Sequence, residues 1–482
     1  MIYLSFCHWQ VCVARRKMLL MIILSVLIVQ VSSAQPCPPS VFFTTQAEID
    51  NFPIQYPNCK EILGEVQITG DNITNLNGLN AITYIGGGLT IWYTSNLVDL
   101  SGLENLTEVD ALVISENDAL TEISSLSNLA QIHSWITIIG NPNLNSLEGL
   151  EQITSIPVWW VNISDNDNLI NLDGLNNLNY VNQLYVGNND NIIDLSGFEN
   201  LDSVFWLDIG DNDNLQNLNG LSSLSKVSHH LSIYSNNVLN SLTGFEQLTH
   251  IDGGLRIEEN DALESMEGLE GIETIGGVFE ISHNYDLQSL NGLESLKQVG
   301  GSLRVVGCNE LISLSGLDSL TMIGGWLNID ENNLLETLSG TDNIEAESIE
   351  NLSITYNPQL STCEVQSVCD YLANPGGDIQ IYVNAPGCNN SVEVEEACTV
   401  GIPEQETVSR LSLYPNPSFS EVTISRVEGI IDEVSIYNKL GQRVIHEVKP
   451  HHTIDVSGLP QGLYIVEIEW DGYQVRKKLI VQ

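Results

Sequence analysis

The side chains best suited to chemistry in this chain are its histidines, its acidic turns and its tryptophans. His133, His229, His230, His250 and His283 are scattered, and none sits at a metal-ligand spacing. No Gly-x-Ser-x-Gly, His-Glu-x-x-His or phosphate-loop motif occurs. Glu258 and Glu259 are adjacent and would leave a strand on opposite sides, which is wrong for a catalytic carboxylate pair. No catalytic residue and no enzymatic activity is therefore expected. The turns DNDN at 165–168 and 211–214, and NNDN at 188–191, offer oxygen ligands of the kind calcium takes. The second residue of each quartet has a structural task given below, and the others suit exposed turns. Solvated turns are thus the favoured reading, with calcium the only cofactor the sequence suggests and no metal ligand assigned.

Stacking is what remains. In VFWLDI, Leu207 and Ile209 alternate like the buried face of a strand, so Trp206 must point outward. The same slot, just before the first inward residue, holds Trp135, Trp160 and Trp326, with His230 between. The next outward slots add Tyr185, and then Trp92 and Tyr234. An aromatic face of this kind suits stacking on sugars or anchoring a protein partner. The competing reading is that the rings merely cover backbone and stiffen the sheet.

The elements that would position these rings repeat. A Gly-apolar pair recurs at Gly78, Gly102, Gly149, Gly174, Gly197, Gly220, Gly244, Gly268, Gly292 and Gly316, with Ser125-Leu126 in an early slot and Gly340 as a weakened last copy. The spacing runs from 23 to 25 residues. Such a period indicates a solenoid. The unit is too short for a full helix, and its L-x-I core suits a strand with one buried face. Twelve coils over residues 63–360, one strand spacing each, would stack to about 58 Å. Three residues after the Ile, an asparagine is almost invariant along the chain: Asn117, Asn141, Asn166, Asn189, Asn212, Asn236, Asn260, Asn284, Asn332 and Asn357. An amide both donates and accepts, so stacked copies would form a buried ladder that satisfies the turn backbone. Thr94 and Cys308 fill the same register, and a buried structural thiol is the favoured reading of Cys308.

A solenoid must be closed at both ends. Thr45 with Glu48 resembles a capping box opening a helix in a first cap, residues 35–62, and Cys37 pairs with Cys59 there. Ser361 with Glu364 would open another helix in a second cap, residues 361–400. That cap holds Cys363, Cys369, Cys388 and Cys398, among which three connectivities are open.

The unit I-G-G-x-L-x-I-x-x-N-x-x-L-x-x-L-x-G-L resembles the receptor L-domain variant of leucine-rich repeats, found in the ectodomains of the insulin and epidermal growth factor receptors. The resemblance implies a right-handed parallel β-solenoid used for protein recognition. Receptor signalling does not carry over, because neither a kinase nor a membrane span follows.

Arg15, Arg16 and Lys17 precede an apolar run and the small residues Ser32, Ser33 and Ala34, which reads as a cleaved signal peptide over residues 1–34. The formal charge is −46, and it is unevenly spread. Residues 407–482 carry 8 basic and 9 acidic groups. Residues 35–406 carry 5 basic against 53 acidic, a composition that disfavours nucleic acid and anionic surfaces. The change marks a domain boundary, with residues 401–406 as linker. The last segment alternates apolar residues between turns, as a small β-sandwich would. It is similar to the C-terminal sorting domain of the type IX secretion system of Bacteroidota. The matching residues are Tyr414, Pro415, Asn416 and Pro417, then Gly441, Gly462 and Tyr464, and the closing Lys477 and Lys478. That similarity implies the secretion machinery as a partner and a secreted or cell-surface location. The whole chain thus reads as an all-β exported protein, with no transmembrane segment in its mature form, that binds an extracellular protein or glycan. Its rival is a structural or adhesive surface protein.

Overall fold

A computed structural model describes residues 35–400, 412–425, 431–439, 441–448, 452–470 and 473–482. The expected signal peptide and the 401–406 linker lie outside the described residues. The chain divides into two compact units, the second beginning at Glu395.

The first unit is a parallel β-solenoid of about 14 turns. Each coil lays its L-x-I strand beside that of the coil before, in unbroken register. Leu184 faces Leu207, Leu207 faces Leu231, and Leu231 faces Leu255. Opposite faces of a strand alternate, so these leucines and the Ile or Val two residues on are buried while their neighbours face out. The later leucines of each repeat are also buried, which leaves a continuous aliphatic core along the axis. The two ends extend the coil rather than only covering it. Val41–Phe43 pairs in parallel with Val66–Ile68, and Ile379–Tyr382 pairs with Asn351–Thr355. The array is thus longer than the twelve coils over 63–360 read from the glycine marker, because the terminal turns keep the strand and lose the marker.

The Gly-Leu marker has a steric cause. Gly292 has φ +107°, and a Cβ there would lie 2.1 Å from the Met266 carbonyl oxygen of the preceding coil. Its N–H donates to Glu294 at 2.9 Å. The same bond to an Asp, Asn or Glu two residues on recurs at Gly102, Gly149, Gly174, Gly197, Gly244, Gly268, Gly316 and Gly340.

The asparagine ladder is present at every predicted position. Asn212 is typical. Its backbone N–H and its Nδ2 both donate to Asn236 Oδ1, both at 3.2 Å. Nδ2 also donates to the Val186 and Gly210 carbonyls, while Oδ1 accepts from Asn189 N. The residue before each rung turns the corner in the left-handed region, as Asp211 does at φ 55° and Glu259 at φ 53°. Thr94 starts the ladder by donating to Asn117, and Asn357 N ends it on Asn384 Oδ1. Cys308 interrupts it. The thiol lies 3.9 Å from the Ile281 carbonyl and 3.7 Å from the Val306 carbonyl, where an asparagine rung would donate. Sulfur cannot receive the Asn284 amide as an oxygen does. Cys308 is buried, and burial pushes its thiol up to about 12.

Both end helices form, with one correction. Thr45 caps Gln46–Gln55 in a full capping box with Glu48, and Cys37 is bonded to Cys59. Ser361 does not cap its helix. Its N–H donates to the Glu336 carbonyl, and Thr362 bridges to Thr337 as if continuing the coil. The helix Gln366–Ala373 therefore starts later, with Val365 at the N-cap and no side-chain cap bond. Cys363 is bonded to Cys388, and Cys369 and Cys398 are also disulfide-bonded.

In the second unit, a three-stranded and a four-stranded antiparallel sheet share one core. Val422, Ile424 and Ile454 from the first meet Val434, Ile436 and Val466 from the second. Asn416 holds the closing strand: its Nδ2 donates to the Lys478 carbonyl, and its Oδ1 accepts from Ile480 N. Tyr464 Oη donates to the Pro460 carbonyl.

Cys308→Asn should complete the ladder, adding two donors and one acceptor at a site already shaped for them. A net hydrogen bond contributes about 1 kcal/mol, so the urea midpoint should rise with the m-value unchanged. A fall in midpoint would show that the thiol is retained for its packing.

Candidate functional site: an aromatic cluster on the outer sheet face

The strand register places Trp160, Gln183, Trp206 and His230 side by side in one outward row, with Asn162, Tyr185, Asp208 and Ser232 in the next. The row is not level. From the inward residue before the corner to the first inward leucine or valine, Val181–Leu184 and Val204–Leu207 take three steps, Val227–Leu231 takes four, and Ile156–Val161 takes five. The register shifts at Ile156/Trp160 and at Val204/Trp206 absorb the difference. Extra residues in a strand bulge outward, and here they bring two further rings, Trp159 and His229, to the surface. Trp159 is 49 % exposed, Trp160 37 % and Phe205 38 %, which is unusual for rings of this size.

These rings form two groups. Trp135 and Trp160 stack with centroids 5.6 Å apart and planes 22° apart, and Trp159 meets Trp160 edge-on. Trp206 stacks on His229 at 5.1 Å and 14°, with His230 tilted at 4.8 Å and Phe205 against His229. Both central indoles are anchored. Trp160 Nε1 donates to Thr137 Oγ1 at 3.2 Å, and Trp206 Nε1 donates to Asp208 Oδ2 at 2.6 Å. Between the groups lies a cleft of about 370 Å³, lined by Trp160, Trp206, Gln183, Asn162, Tyr185 and Asp208. Burial holds the Asp208 carboxyl above its usual range, against the Trp206 hydrogen bond and the nearby His230 and Arg256. The same burial holds the His230 ring below its usual value.

The remaining predicted site residues are placed differently. Tyr185 and Tyr234 lie flat over the glycines of the sheet. A Cβ on Gly187 would meet the Tyr185 hydroxyl at 2.2 Å, and one on Gly210 would meet the Tyr234 ring at 2.2 Å. Both tyrosines cover backbone. Trp326 is on the same face, but five strand spacings from Trp206, about 24 Å. Trp92 packs on Tyr93, with its Nε1 buried and unpartnered. The face therefore holds a central cluster and two outlying tryptophans rather than a continuous strip. Trp159, Phe205, Gln183, Asn162 and Asp208 were not singled out from sequence, and His229 stood only among the scattered histidines. Their signal was the variation in coil length between 23 and 25 residues, which sets where the sheet rises and dips.

In the acidic turns, the fourth residue is also occupied. Asn191 and Asn214 each donate across to a carbonyl of the preceding coil, at Asp167 and Asp190. Among the described residues, no group of three His, Cys, Asp or Glu side chains is placed to hold a metal ion. No helix among them is long and apolar enough to cross a membrane.

A long parallel solenoid with an exposed aromatic cluster on its sheet, followed in the chain by a unit of antiparallel sheets, defines a modular repeat protein. Residues 58–138 match the receptor L domain family, and residues 412–482 match the secretion system C-terminal sorting domain. No curated protein matches the chain. The solenoid is thus receptor-L-domain-like over residues 58–138, and the chain carries a type IX secretion sorting tail. The tail indicates export to the cell surface or secretion, and implies interaction with the secretion machinery.

Because its carboxyl is protonated more readily in the folded state, Asp208 adds stability below its ordinary value and loses it as pH rises through the raised one. Asp208→Asn keeps an oxygen for the Trp206 indole and removes the charge. Its melting temperature should exceed that of the parent at pH 7, with the gap closing as pH falls toward 4, about the ordinary value of an aspartate. A gap independent of pH would place the effect elsewhere.

Proposed function

We propose that the protein is a binding protein, not an enzyme, and that it recognises an extracellular protein or glycan through the Trp135–Trp206 cluster. The observation that carries this reading is the exposure of Trp159, Trp160 and Phe205 together on one sheet face. A sheet that needed only cover would lay its rings flat, as Tyr185 and Tyr234 do over glycine. Trp159 and Trp160 instead stand out from the sheet at a bulge, and Phe205 stands beside the bulge of the next coil, at a cost in apolar surface left in water. Large apolar rings with polar edges are the side chains that dominate binding surfaces. Export to the cell exterior gives such a face access to surface proteins and glycans.

The full-length chain should bind at least one member of a mixed glycan and surface-protein panel. Trp160→Ala with Trp206→Ala should abolish that binding while leaving the circular dichroism and melting profile close to the parent. Binding that survives the double change would place recognition elsewhere on the solenoid. A panel without any hit would favour a structural or adhesive role.

A further inference from the structure

Trp160 and Trp206 are not neighbours. Gln183 stands between them in the same outward row, so the strands that carry the two indoles lie two spacings apart, about 9.6 Å. Each has one face already covered on the far side: Trp160 by Trp135, and Trp206 by His229. Both stacks join adjacent strands, and the cleft between them is lined by Trp160 on one side, Trp206 on the other and Gln183 between. A flat ring held in contact between two others, at about 3.5–4.0 Å on each side, needs only about 7–8 Å. Two strand spacings exceed that, which leaves room for a puckered saturated ring.

The floor of this slot is polar. Asn162 lines it, and its Oδ1 is buried at the base without a hydrogen-bond partner. The Gln183 amide is exposed beside it, and the Asp208 carboxyl borders the Trp206 wall. The slot thus combines apolar walls with acceptors and amide donors at the base. Its volume of about 370 Å³ lies at the small end of the range for small-molecule sites, about 300–1,000 Å³.

We propose that this slot takes one neutral pyranose ring of a glycan, its C–H faces against Trp160 and Trp206 and its hydroxyls on Asn162, Gln183 and Asp208. The inference rests on the binding reading above and narrows it to one ligand class. An anionic sugar is disfavoured by Asp208 and by the excess of acidic residues in the solenoid. A quaternary ammonium group would want aromatic rings on several sides, but Tyr185 lies flat over Gly187.

Gln183→Trp fills the slot while keeping, and even extending, the aromatic face. Trp160→Ala removes a wall instead, so the two variants reach the same loss by opposite routes and do not depend on one another's folding. The full-length chain would be titrated with neutral glucan, galactan and mannan oligosaccharides, with a uronate oligomer and with tetramethylammonium. At least one neutral oligosaccharide should bind, and each variant should weaken it at least about tenfold, or about 1.4 kcal/mol. Saccharide binding unchanged in Gln183→Trp would overturn the slot. So would binding of only the uronate or the ammonium ion. A protein ligand that is lost in the Trp160→Ala, Trp206→Ala double variant but kept in Gln183→Trp would overturn the slot alone and leave the broader binding reading standing.

Discussion

The buried asparagine ladder is the constraint on which the solenoid rests. Each coil must leave its strand by a sharp corner inside a dry core, where unpaired backbone groups are costly. One carboxamide answers this by capping two carbonyls and passing its oxygen to the coil before. Because the amides donate in one direction from Thr94 to Asn284, and again from Cys308 to Asn384, each bond within a run polarises the next. The fixed rise from coil to coil, and with it the parallel sheet that carries the aromatic cluster, follows from that stacking.

The acidity of the chain has a local origin that net charge conceals. In most coils an Asp or Glu two residues after the marker glycine accepts that glycine's N–H. Others stand in the corner turns beside carboxylates of adjacent coils, as Asp190 does beside Asp167 and Asp213, and are held above their usual range by burial and mutual repulsion. Much of the −46 is therefore a by-product of building turns from short acceptors. Its effect on partners, the exclusion of anionic ones, is real but secondary.

Most of this architecture was legible because one period governs it. A repeated Asn or Gly reports a backbone need repeated at each coil, so the ladder, the strand register and the outward slots of Trp135, Trp160, Trp206 and Trp326 could all be read from spacing. Asn384 was missed because the chain reaches it 27 residues after Asn357, through a disulfide-bonded segment that has lost the marker. The capping expectation at Ser361 failed for the same reason, since that serine is still paired to the coil beneath it. What sequence hid at the aromatic face was height. The two residues added between Ile156 and Val161 look trivial in a repeat of 23 to 25, yet they decide which rings lie flat and which stand clear. Gln183, an unremarkable polar residue in isolation, acquires its meaning only from the two indoles on either side.

The unbroken register makes the outer face a ruler with a single graduation. Any two side chains in one outward row are separated by a whole number of strand spacings, so the width of a gap between rings is set by how many smaller residues intervene and cannot be tuned continuously. Exchanging one outward side chain would redraw the surface in steps of about 4.8 Å without moving the backbone at all. Variation among such arrays can therefore change the shape they present by single substitutions, each independent of the core that holds the coils together.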